Sequence, residues 1–121
     1  MEKKENIILR KTFDFACSIV DLNDILIERK HFTIAKQVIR SGTSVGANVR
    51  EAQRAVSKPD FINKMGIALK EADEKKYGLE LIDAKIYKVS EKIKNDLEEI
   101  ISILVSIINS TKKNSLALYN S

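Results

Sequence analysis

The chain predicts an all-α fold, an antiparallel up-down-up-down four-helix bundle. Three observations carry that prediction. Apolar residues recur at intervals of three and four along almost the whole sequence, the spacing of one face of a helix. No sustained period-two alternation and no Asn-Gly or Asp-Gly pair marks a strand or a hairpin. One proline and four glycines in 121 residues leave few places to turn, so the helices are long and their connections short.

The first helix is expected from about Glu5 to Arg29. Leu9, Phe13, Ala16, Val20 and Ile27 form one stripe on it, and Ile8, Phe15, Ile19, Leu22 and Leu26 form another. Arg29 and Lys30 suit the negative end of its dipole. The second helix is expected from about Thr33, a residue able to cap it, to Val56. The third begins near Pro59, a first-turn residue, with Asp60 at the positive end of the dipole, and continues to about Tyr87. Phe61, Met65, Ala68, Ala72 and Leu79 line one side of it. The fourth starts after Ser90 and runs to about Lys112. Ile93, Leu97, Ile100, Leu104 and Ile107 give it the seam of a bundle, and Ile101, Val105 and Ile108 form an adjacent stripe. Residues 1–113 therefore form one domain, and 114–121 read as a frayed or disordered tail.

Double stripes on the first and fourth helices exceed the needs of one four-helix core. A homo-oligomer with the surplus stripes at subunit contacts is expected; the alternative buries both stripes inside one thick bundle. The single cysteine, Cys17, excludes an intrachain disulfide and is expected as a buried small hydrophobe. The charged start lacks the pattern of a secretory signal, and no apolar run reaches the roughly 20 residues of a membrane span. A soluble cytoplasmic protein is the expectation. The net charge of +4 permits phosphate contact without demanding it.

The segment Gln37 to Ala52 reads as helix yet contains Ser41, Gly42, Thr43, Ser44 and Gly46. Each interior glycine costs a helix roughly 1 kcal/mol relative to alanine, so close approach of a neighbouring helix is expected to compensate. Gln37, Arg40, Ser41, Ser44, Asn48 and Glu51 share an arc of about 100°, beside an apolar arc of Ile34, Val38, Val45, Val49, Ala52 and Val56. Two readings of this polar stripe stand. In the favoured one, Arg40 and Glu51 lie in or beside a tight helix contact and pair with Lys70, Glu71 or Glu74 of the third helix, since a buried Arg requires a carboxylate. In the other, the stripe lines a groove that meets phosphate or another polar ligand.

Catalytic and metal chemistry find little support. His31 is the only histidine, and no cysteine stands near it. Glu71 and Glu74 share a face, but no Glu-x-x-His accompanies them as a di-iron bundle requires. Ser41 and Ser44 lack a nucleophile elbow, and Gly42 to Gly46 lacks the lysine of a phosphate loop. Tyr77, Tyr87 and Tyr119 do not interleave with a basic patch. Neither an enzyme nor a cofactor is expected.

The pattern Gln37-x-x-Arg40-Ser41-x-Thr43-Ser44-Val45-x-Ala47-Asn48-Val49-x-Glu51-Ala52 resembles the signature of the four-helix bundle proteins linked to intervening sequences in large-subunit rRNA genes. Ser57-Lys58-x-Asp60-Phe61, Ile67-Ala68-Leu69-Lys70-Glu71-Ala72-x-Glu74 and Phe15-Ala16-x-x-Ile19-Val20-x-Leu22 are also similar. The likeness covers about Phe13 to Ile108. It implies a left-handed bundle assembled as a ring-shaped homopentamer, with an RNA-related role. Similar bundles accompany diversity-generating retroelements, where a basic pentamer binds nucleic acid and a reverse transcriptase. Gly78 departs from the pattern, where a bulky aromatic is expected.

The expected function is thus a non-enzymatic oligomer associated with ribosomal RNA or other nucleic acid. Lys3, Lys4, Arg10, Lys11, Arg29, Lys30 and Lys36 are the candidate contacts, clustered on one ring face. The alternative is a protein-interaction scaffold that docks an enzyme such as a polymerase without touching nucleic acid.

Overall fold

The computed structural model describes the backbone of residues 4–120 and the side chains of residues 7–114. Among the described residues there are four helices: α1 (Lys4–Glu28), α2 (Phe32–Ala52), α3 (Lys58–Lys85) and α4 (Glu91–Asn120). Each packs on its neighbours in sequence, α1 also meets α4, and no close backbone approach crosses a diagonal among the described residues. The cross-helix contacts run in opposite senses. Gly46 faces Thr12 while Gly42 faces Ile19; Ser44 bonds Glu71 while Ser41 bonds Lys75; Lys76 pairs with Glu98 while Lys94 pairs with Asp83. This is the up-down-up-down bundle expected from short connections.

The inner stripes build the core. Ile8, Phe15, Ile19 and Leu26 of α1 meet Val45 and Val49 of α2, Met65 and Ala72 of α3, and Ile100 and Leu104 of α4, each fully buried. The small residues of α2 do what their cost implies. A Cβ placed on Gly42 would lie 2.5 Å from Ile19 Cγ2, and one on Gly46 would lie 3.4 Å from Thr12 Oγ1. The rod that nestles there is α1. Thr12 is itself buried and donates back to the Ile8 carbonyl at 2.8 Å, so it adds no orphan group to the contact.

The connections are set by capping chemistry. Lys30 adopts a left-handed φ of 67°, with Lys30 N–H donating to Ile27 O and His31 N–H to Leu26 O. This is a Schellman motif built on lysine where glycine is usual. Ser57 accepts from Asp60 N–H at 3.2 Å, and the Asp60 carboxylate accepts from Val56 N–H at 3.1 Å. At the α3–α4 turn, Asp83 accepts from Val89 N–H at 2.8 Å and from Lys94 at 3.0 Å. These donors hold its carboxyl below the usual range, the lysine first.

Several expectations need correction. α2 ends at Ala52 rather than Val56, because Ser57 must be extended to cap α3 and Val56 must bond Asp60. Thr33 lies inside α2; the cap position is His31, whose side chain makes no capping hydrogen bond. α4 continues to Asn120 rather than ending near Lys112; the side chains of 115–121, most of the expected tail, lie outside the described residues. Cys17 is exposed, not buried: it falls with Phe13, Val20, Asp24 and Ile27 on the outward face of α1. The two stripes of α1 are not both absorbed by the core. Phe13, Val20 and Ile27 remain 56%, 42% and 45% exposed, and Phe32 at the start of α2 is 61% exposed.

Candidate functional site

The stripe of α2 and the facing side of α3 enclose a groove of about 470 Å³. It contains Gln37, Arg40, Ser41 and Ser44 from α2 and Glu71 and Glu74 from α3, so most of the stripe is gathered in one place. Ile34, Leu81, Ile82 and Ile86 make its other end apolar. Gly78 also lines it, and nothing lies within 4 Å of a Cβ built there, so the missing side chain helps leave the groove open.

The stripe's hydroxyls bond mainly to their own helix. Ser41 donates to Gln37 O at 2.9 Å, Ser44 to Ser41 O at 2.7 Å, and Asn48 Nδ2 to Ser44 O at 2.9 Å. Ser44 Oγ also lies 3.2 Å from Glu71 Oε2, its link to α3. Asn48 and Glu51 fall outside the groove.

The expected buried Arg40 pair does not form. Arg40 and Glu51 are exposed, and neither has an ion pair among the described residues. Among the described residues the buried cation is Lys75, at 3% exposure. Its ammonium donates to Val38 O at 3.2 Å and to Ser41 Oγ at 3.1 Å, with no carboxylate within 4 Å among the described residues. Burial lowers its pKa from 10.5 to about 8, because the interior disfavours the charged form. The sequence reading missed Lys75, although it interrupts the apolar run Ala68, Ala72, Leu79, Ile82 at a core spacing.

The candidate nucleic-acid contacts do not share one face. Arg10 and Lys11 lie near one end of the rod, whereas Arg29, Lys30 and Lys36 lie at the other, about 28 Å away along α1. Lys11 is half-buried and pairs with Glu99 at 2.8 Å. Lys3 and the side chain of Lys4 lie outside the described residues. Arg29, Lys30 and Lys36 are exposed and make no ion pair among the described residues. The α3–α4 turn reaches the same end: Arg29 stacks over Tyr87 at 4.8 Å, and Lys85 and Lys88 stand close by in sequence. Tyr87 thus joins a basic patch, contrary to the sequence reading. Its place between two helix ends flanked by lysines was the available signal.

These features define a class: an antiparallel four-helix bundle with a mixed polar groove, an uncovered apolar stripe and a basic turn end. The chain belongs to the 23S rRNA-intervening sequence protein family, whose model matches residues 4–110. It is similar to the crystal structure of a protein of unknown function from the S23 ribosomal protein family of Bacteroides thetaiotaomicron VPI-5482. The two are 47% identical with a TM-score of 0.83, over 88% of this chain and 99% of that one. No curated protein matches this chain. Among the described residues, no helix is long and apolar enough to cross a membrane.

Proposed function

We propose that this protein is a non-enzymatic, self-assembling bundle that associates with ribosomal RNA or other nucleic acid through its α1–α2 turn end. The observation that carries the reading is the placement of Arg29, Lys30 and Lys36 at one end of a rod whose side bears an uncovered apolar stripe. A stripe parallel to the axis sets copies side by side, and cyclic symmetry then puts every basic end on one face. The phosphate field is multiplied without any new residue.

A second apolar patch, Ile67, Tyr77 and Leu81 on α3, is also exposed. It and the α1 stripe flank α2 on adjacent sides of the bundle. Patches on adjacent sides favour closure into a small ring of about four or five copies, in keeping with the pentamer that the family likeness implies. Lys30 adds support: a lysine held at positive φ costs roughly 1 kcal/mol or more relative to glycine, a cost that a charge contact explains. Such a particle acts where ribosomal RNA is found, in the cytoplasm.

Gel retardation of a structured rRNA fragment over a salt series tests the binding. Retention that weakens steeply with salt, and is lost when Arg29, Lys30 and Lys36 are changed together to Ala, is expected. No retention at low salt, with a nuclease-insensitive protein partner co-purifying instead, overturns it in favour of a docking scaffold.

A further inference from the structure

Lys75 poses a question that one subunit does not answer. Its ammonium has three N–H donors, of which two are used on Val38 O and Ser41 Oγ. Glu71, one turn away on the same face, already contacts Ser44, and Glu74 stands on the exposed rim. Arg40 lines the same groove without an ion pair among the described residues. On α1, the outward face carries Asp24 among Val20 and Ile27, exposed and likewise without an ion pair among the described residues.

We propose that the α2–α3 groove receives the outward face of α1 from a second copy of this chain, and that Asp24 of that copy supplies the carboxylate that Lys75 lacks. The inference rests on the self-association proposed above and adds which faces meet.

Heights along the rod carry it. Gly42 is level with Ile19 and Gly46 with Thr12, and α1 and α2 run antiparallel, so each step back along α2 from these two anchors matches about one step forward along α1. Lys75 bonds Val38 and Ser41, which places its ammonium level with about residues 17–23 of α1. Ile34 is level with about residues 24–27 on the same reckoning. Rotation about an axis parallel to the rods leaves heights unchanged. The face of α1 that arrives from the next copy therefore presents Val20 and Asp24 at the charged part of the groove. It presents Ile27 at the apolar part, beside Ile34, Leu81 and Ile86. Polar meets polar and apolar meets apolar without any shift of register. Gly78 adds no side chain to the groove.

The experiment uses the native Cys17, which is exposed on the same face. Sedimentation first gives the mass of the wild-type protein. Glu74→Cys is then treated with a short bis-maleimide, and the linked peptides are mapped by mass spectrometry. Links between position 74 of one copy and Cys17 of another, in a ladder extending beyond dimers, are expected. Asp24→Lys, at an exposed position, should leave the helical signal intact and weaken association about tenfold or more. A monomer in sedimentation defeats both this pairing and the self-association reading. An assembly that gives only Cys17–Cys17 dimers, or that keeps its affinity in Asp24→Lys, defeats this pairing alone.

Discussion

Replacing Lys75 with Met tests the energetics of the groove within one subunit. The native state holds the ammonium at 3% exposure and lowers its pKa from 10.5 to about 8. That depression corresponds to on the order of 3 kcal/mol of unfavourable free energy when the group is charged in both states. Met has a similar length and leaves little cavity. It forfeits the two hydrogen bonds, worth about 1 kcal/mol each, so Lys75→Met should stabilise the subunit by about 1–2 kcal/mol at pH 7. The pH dependence has a definite sign. Below about pH 8 both states carry the proton, and the full cost is present. Between about 8 and 10.5 the native state has released the proton while the unfolded chain retains it, so wild-type stability rises with pH. Arg40, Glu71 and Glu74 line the same groove. The gap between variant and wild type should therefore close as pH rises from 8 to 10.5. Urea unfolding followed by circular dichroism measures it. The Val20→Glu background, with dispersal checked by sedimentation, keeps subunit contacts out of the comparison. A less stable variant at pH 7, or a gap that does not narrow with pH, would refute the reasoning.

The other expectations concern single residues, read by thermal unfolding. Gly42→Ala should destabilise by about 1–2 kcal/mol, since the new Cβ lies 2.5 Å from Ile19 and overpacking outweighs the gain in helix propensity. Gly66→Ala meets nothing within 4 Å and should stabilise by up to about 1 kcal/mol; the opposite order of the two variants would contradict the packing. Lys30→Gly should raise stability by about 1 kcal/mol through relief of the left-handed φ while weakening RNA retention, and a variant unchanged in both would contradict its assigned role. Ser57→Ala removes the side-chain acceptor for Asp60 N–H and should cost about 1 kcal/mol; no loss would mean the cap contributes nothing.

The helices and their inward faces were legible in the sequence because burial follows the three-and-four spacing directly. Ile19, Val45, Met65 and Leu104 all fall where that spacing puts them. The tight α1–α2 contact was legible for a related reason: Gly42 and Gly46 are locally unfavourable, so only a tertiary gain explains them. The charges were less legible. A helical wheel gives the direction of Arg40 but not its depth, and its long stem carries the guanidinium out to solvent. Lys75 escaped notice because a lysine reads as surface, although its place among Ala68, Ala72 and Leu79 puts its stem in the core. Cys17 was misplaced because it is apolar and has apolar residues nearby, while its spacing from Phe13 and Val20 belongs to the outward stripe. The split of the basic residues between the two ends follows from the length of α1, which sequence order alone conceals.

Fluorescence anisotropy of a labelled rRNA fragment, titrated at several salt concentrations with wild type and with Val20→Glu, tests the central claim most directly. The account predicts an affinity that falls linearly with the logarithm of salt concentration. In the dispersed variant both the affinity and the salt slope should drop, because each free subunit presents one basic end instead of a full face. Equal binding by the two proteins, or binding insensitive to salt, would contradict it.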